Sequence, residues 1–142
     1  MAKNTASATW KGDLKNGNGK VRLTSTAFEA NYTFSSRFES GKGTNPEELV
    51  AAAHAACYSM ALSNIVAGKG FTPEEVSTTA IATLSNPGSG FRITDMELTT
   101  EARIKGIDES TFITLANDAK ANCPISKTLT SVNIKLKAKL LK

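Results

Sequence analysis

Residues 45–70, NPEELVAAAHAACYSMALSNIVAGKG, decide the fold. Asn45 is suited to cap a helix, Pro46 to the first helical position, and Glu48, three beyond the cap, to closing a capping box. Gly68 and Gly70 supply the stop. The predicted helix, Pro46 to Ala67, spans roughly 33 Å, about the width of a domain this size. Leu49, Ala52, Ala53, Ala56 and Met60 form one apolar stripe along it. Val50, Cys57, Ala61 and Ile65 form another. A helix apolar over so wide an arc needs neighbours on most sides. One 142-residue chain has little left to wrap it, so a second copy of the chain is expected. Leu49–Gly68 is also twenty residues without a charge, long enough to cross a bilayer. Seven of the twenty are Ala, and His54, Tyr58, Ser59, Ser63 and Asn64 interrupt the run, so it is read as a buried helix of a soluble protein with no membrane partner.

Outward from this helix, strand patterns prevail. Ala6–Lys11 and Lys20–Ser25 flank KNGNGK, in which Asn16-Gly17 and Asn18-Gly19 have hairpin-turn chemistry. Asn31–Glu39 reads as a third strand, with Tyr32, Phe34 and Ser36 on one face and Arg37 near its end. Beyond the helix, Val76–Leu84 and Phe91–Ile104 read as strands joined by NPGSG. The apolar parity changes between Ile93 and Met96, as a bulge would make it. A second helix starts at Asp108, with Ile107 and Phe112 placed as a hydrophobic staple and Phe112, Leu115, Ala116 and Ala119 on one face. Val132–Leu140 alternates strictly between apolar residues and Lys135, Lys137 and Lys139. The order βββ-α-ββ-α-β predicts an α+β fold, one domain over residues 1–142, with mostly antiparallel sheet around the long helix.

Composition narrows the function. The chain is 40% hydrophobic and 21% charged, which excludes a disordered or collagen-like chain. Net charge is +4 with no basic block, and the C-terminal lysines alternate with apolar residues as a solvated sheet face does, so no nucleic-acid partner is expected. The opening MAKNTASATWK has no apolar secretory core, which makes a cytoplasmic location the expectation. There a pair of cysteines, Cys57 and Cys123, is not expected to form a permanent structural bridge.

Each cysteine carries two readings. Cys57, mid-helix, is a small buried hydrophobe or a nucleophilic thiol that needs a cation to depress its pKa. His54 lies one turn before it, but no further ligand stands at metal spacing, and no metal or cofactor is expected. Cys123 precedes Pro124 and is either an incidental loop residue or a thiol at the positive end of a short helix. Glu48 has its capping role. Glu47 either favours the helix terminus through the dipole or orients an arginine such as Arg37. Ten residues of helix, roughly 15 Å, separate Glu47 from Cys57. On one straight helix they do not touch; they meet across an antiparallel helix pair, through a kink, or by way of Arg37.

The stretch SSRFESGKGTNPEELVAAAHAACYSMAL resembles the osmotically inducible protein C and organic hydroperoxide resistance family, its first branch above all. AKANCPISKTL, ATWKGDLKNGNGK and GIDESTF extend the resemblance over nearly the whole chain. It implies a thiol-dependent peroxidase that reduces organic hydroperoxides in oxidative or osmotic stress defence. It also implies an intertwined homodimer with active sites at the subunit interface. Cys57 matches the peroxidatic cysteine, Cys123 the resolving cysteine, Arg37 the arginine and Glu47 its acidic partner. A Cys57 sulfenic acid would condense with Cys123 to a disulfide, recycled by a dithiol of lipoyl type or another. Met60, Phe38 and Tyr58 are candidate walls of a substrate pocket. The competing expectation keeps the fold and drops the chemistry: a dimeric stress or ligand-binding protein with structural cysteines.

Overall fold

The computed structural model describes residues 1–142. In chain order its elements are β1 (Ala6–Lys11), β2 (Asn18–Leu23), β3 (Glu29–Thr33), α1 (Phe34–Phe38), α2 (Pro46–Gly68), β4 (Thr72–Ser85), β5 (Arg92–Lys105), α3 (Glu109–Asn122), α4 (Pro124–Thr128) and β6 (Asn133–Leu141). The strands form two three-stranded sheets, β1-β2-β3 and β4-β5-β6, giving an α+β fold. The chain divides into two compact units, Met1–Leu49 and Val50–Lys142.

In the first unit both strand pairings are antiparallel. The β1–β2 connection does not turn on Asn18-Gly19, which already lies in β2 with Asn18 opposite Lys11. The loop is organised instead by Asp13, whose Oδ1 accepts from the Lys15 and Asn16 backbone N–H groups at 3.0 and 2.8 Å. Asn16-Gly17 does lie in the turn, where the Gly17 N–H donates to the Asp13 carbonyl at 2.9 Å. Gly19 has another use: a Cβ there would lie 2.6 Å from the Tyr32 ring, which packs at a tilt against Trp10 with centroids 5.2 Å apart.

The third strand is shorter than its pattern suggests. β3 stops at Thr33, and Arg37 belongs to helix α1 rather than to a strand. Thr33 and Ser36 cap each other, the Ser36 N–H donating to Thr33 Oγ1 at 3.1 Å and the Thr33 N–H to Ser36 Oγ at 2.8 Å. Phe34 and Phe38, four residues apart, then stack on one face with centroids 4.9 Å apart. Two local side-chain effects thus override an alternation of only a few residues.

The second unit holds the main core. α2 ends one residue beyond the expected Ala67, and Asn45 does cap it, accepting from the Glu48 N–H at 2.8 Å. The capping box is only half formed: the Glu48 carboxylate turns to Thr44, whose Oγ1 donates to it at 3.1 Å. Ala51, His54, Tyr58, Leu62 and Val66 form the buried face of α2, while Ala52, Ala53, Ala56 and Met60 stay exposed, Met60 at 74%. The core therefore takes the row that contains two of the polar interruptions, His54 and Tyr58. Both find partners there, whereas the all-apolar stripe has none within its unit.

β4 and β5 pair antiparallel, and the pairing skips Thr94 between Ile93 and Asp95, which is the bulge that the parity change marks. Met96, Leu98, Thr100, Ala102 and Ile104 all face the core. β6 joins β5 in parallel, so three of the four strand pairings are antiparallel. A parallel neighbour needs a crossover, and α3 with α4 supplies it. Asp108 caps α3 through the Thr111 N–H at 2.8 Å, with Phe112, Leu115, Ala116 and Ala119 buried as their spacing predicts. Lys135 and Lys139 stand in register with Glu97 and Glu101, so the lysine row is interleaved with acidic side chains.

Candidate active site

The structure brings the four predicted site residues together as two pairs, one in each unit. In the first unit the end of α1 and the start of α2 are tied by side chains. Ser36 Oγ donates to the Thr44 carbonyl at 2.8 Å, and Asn45 Nδ2 donates to the Ser36 carbonyl at 2.9 Å. Gly43, at φ +119°, makes the close pass this requires; a Cβ there would lie 2.6 Å from the Asn31 carbonyl oxygen. Arg37 on α1 then faces Glu47 on α2. Its Nη2 donates to Glu47 Oε1 at 2.8 Å and its Nε to both carboxylate oxygens at 3.2 Å. The Glu47 side chain is 10% exposed and that of Arg37 33%, so the fork is fixed while the guanidinium keeps an outer edge.

Beside Arg37 opens a cleft of about 310 Å³ walled by Trp10, Tyr32, Phe34, Phe38 and Pro46, with Arg37 its one charged residue. Phe38 lines this cleft, which does not include Cys57. Tyr58 does not: it is fully buried in the second unit, and its hydroxyl donates to the Ala116 carbonyl at 3.0 Å. Met60 lies on the exposed stripe of α2, away from that unit's core.

The second pair consists of the two thiols. Cys123 joins α3 to α4, closing α3 through its N–H to the Ala119 carbonyl at 2.9 Å and opening α4 through its carbonyl to the Lys127 N–H at 3.0 Å. Its side chain is fully buried. Cys57, on α2, is half-buried, and both are free thiols. The sulfurs lie 2.9 Å apart although 66 residues separate them in sequence. Burial and the hydrogen bond with Cys123 push the Cys57 thiol up, against a lowering contribution from the Ile125 backbone N–H. Around this pair α2 is fastened twice, by Tyr58 to α3 and by His54 to α4, where His54 Nε2 and Ser126 Oγ are 2.8 Å apart. His54 turns to Ser126 rather than to a sulfur. Ser126 and Ile125 are site neighbours that the sequence reading does not single out. An Ile-Ser dipeptide has no recognisable chemistry until the crossover folds it against α2.

The profile described as "OsmC-like protein" matches residues 39–137. The chain belongs to the OsmC-like family. This OsmC-like chain is 49% identical over 123 residues to the protein named "Peroxiredoxin OsmC" of Escherichia coli (strain K12), covering 86% of each. It is 37% identical over 87 residues to the "Organic hydroperoxide resistance protein" of Xanthomonas axonopodis pv. citri (strain 306), or 61% of this chain and 59% of that one. Its fold matches the crystal structure of an OsmC-like protein from Mycoplasma pneumoniae with a TM-score of 0.76 over 99% of both chains, at 16% identity.

Proposed function

We propose that this OsmC-like chain is a thiol-dependent peroxidase of oxidative or osmotic stress defence that reduces organic hydroperoxides to alcohols. The observation that carries the reading is the 2.9 Å approach of Cys57 to Cys123. Access supports the roles in this reading: half-buried Cys57 meets the peroxide, and fully buried Cys123 resolves it. The Cys57 thiolate attacks the peroxide O–O bond, releases the alcohol after proton transfer, and becomes a sulfenic acid. The Cys123 thiol displaces that oxygen as water and closes the disulfide. A dithiol, of lipoyl type or another, restores both thiols by two exchange steps and is itself oxidised to a disulfide.

The environment of Cys57 raises its pKa, so the reaction needs a cation to hold the thiolate. Arg37 is the cation in this reading, aimed by Glu47, with the neighbouring aromatic cleft receiving the organic part of the peroxide. The names of the relatives above, a peroxiredoxin and an organic hydroperoxide resistance protein, support the peroxidase class. The exposed stripe from Ala52 to Met60 supports an intertwined homodimer. In this reading residues 1–142 act as one functional domain, and its location is the cytoplasm.

The test is single-turnover thiol loss with cumene hydroperoxide and with hydrogen peroxide. Wild type should lose two thiols per chain, faster with the organic peroxide. Cys57→Ser should lose none rapidly, and Cys123→Ser should proceed to over-oxidised Cys57. Thiols that survive both oxidants in the folded protein would leave a dimeric binding protein with structural cysteines.

A further inference from the structure

The two fastenings around the thiol pair differ in what they hold. Tyr58 ties α2 to the body of α3. His54 ties it to the first turn of α4, and the spacing is pointed: His54 lies three residues before Cys57, and Ser126 three residues after Cys123. Between the two contacts lies Ile125, whose backbone N–H lowers the Cys57 pKa against the effect of burial. The His54–Ser126 bond and the 2.9 Å sulfur contact therefore lie along one short seam where α2 meets the start of α4.

α4 cannot hold that seam by itself. It is a five-residue helix, and its N-cap, Cys123, makes no side-chain cap hydrogen bond. A single turn of this length has little stability of its own and relies on tertiary contacts. His54 is fully buried, yet its Nδ1 has no hydrogen-bond partner. An apolar side chain would avoid that unsatisfied atom, so the imidazole is there for its Nε2 contact. Ser126 is also buried, which shields the bond from competing water.

We infer that His54 and Ser126 are positioning residues for disulfide closure: their hydrogen bond seats α4 so that the Cys123 sulfur stays within reach of Cys57 after Cys57 has been oxidised. The inference rests on the peroxidase reading. Once Cys57 is a sulfenic acid it has two fates. Attack by the Cys123 thiol forms the S–S bond and expels the oxygen as water. Attack by the Cys57 sulfenate on a second hydroperoxide gives the sulfinic acid and another alcohol. The first fate is intramolecular and depends steeply on alignment, whereas the second depends only on peroxide concentration. A latch that holds α4 down thus favours the disulfide over irreversible damage.

The experiment follows the fate of Cys57 in reduced protein mixed with a rising excess of cumene hydroperoxide, with mass spectrometry separating disulfide from sulfinic acid. In Ser126→Ala, which removes one oxygen and adds no bulk, disulfide closure should slow by about tenfold or more relative to the first oxidation. Sulfinic acid should then appear at correspondingly lower peroxide. His54→Gln, whose amide can reach Ser126, should stay close to wild type, while His54→Met, of similar size with no such donor, should behave like Ser126→Ala. This His54 pair repeats the comparison independently should Ser126→Ala not fold. Equal partition in Ser126→Ala and wild type, or in His54→Gln and His54→Met, overturns the latch. Absence of a disulfide in wild type overturns the two-cysteine reading instead, so the two failures are distinct.

Discussion

A histidine sealed in a core is sensitive to acid in a direction its surroundings fix. Burial pushes the His54 imidazole below its usual value of 6.5. The unfolded chain therefore binds a proton first as pH falls, and the folded chain resists. Stability from this residue is complete above about pH 6.5 and is lost as pH drops from there towards the depressed native value. Urea midpoints should thus rise between about pH 5 and 7 in wild type, and the slope should flatten in His54→Gln. Asp13, Glu29, Asp95 and Asp108, whose pKa values are lowered by hydrogen bonds, act in the more acid carboxylate range and do not obscure that window. At this scale the sequence is informative about reactive side-chain types and silent about their neighbours. Two cysteines stand out in a chain of this composition, and Arg37 and Glu47 flank the entry to the long helix. Ser126 does not stand out, because a hydroxyl acquires a role only through a contact with a residue 72 positions away.

Elements were legible where many residues agree on one period. α2 and α3 carry caps, stops and apolar spacing together, and their limits fall within a residue or two of those the pattern gives. The bulge opposite Thr83 is visible as a parity change. α1 is hidden because its signal is a Thr-x-x-Ser cap and one Phe pair inside a short alternating run. The parallel placement of β6 is equally invisible, since alternation fixes which face is buried and not the direction of the neighbour. The junction of α1 with α2 yields a prediction at this scale. Asn45 both caps α2 and donates to the Ser36 carbonyl, so Asn45→Ala should cost about 1 kcal/mol or somewhat more in urea unfolding. It should also loosen the Arg37–Glu47 fork.

For the molecule as a whole, the helix that looks long and apolar enough to cross a membrane is better understood from its two faces. The face with His54 and Tyr58 makes tertiary hydrogen bonds in the second unit, and the face from Ala52 to Met60 is smooth and open. Small residues on such a face allow a second helix to approach closely, in keeping with the proposed homodimer. Met60→Lys should then shift the sedimentation mass from twice the chain mass towards 15.0 kDa, and lower peroxidase turnover with it. A dimer unaffected by that charge would move the interface elsewhere.

The crossover that carries Cys123 also sets an order of events on the ribosome. Cys57 leaves the tunnel 66 residues ahead of its partner. At 5–20 residues per second that is an interval of roughly 3–13 s. The crossover is then closed only when β6, the last strand made, pairs with β5. On the proposed mechanism, a nascent chain in that interval carries Cys57 with no second thiol to resolve a sulfenic acid. If Cys57 and Cys123 work as proposed, protein synthesised before a peroxide burst starts with both thiols in place, and chains caught in mid-translation are the ones that the burst would disarm.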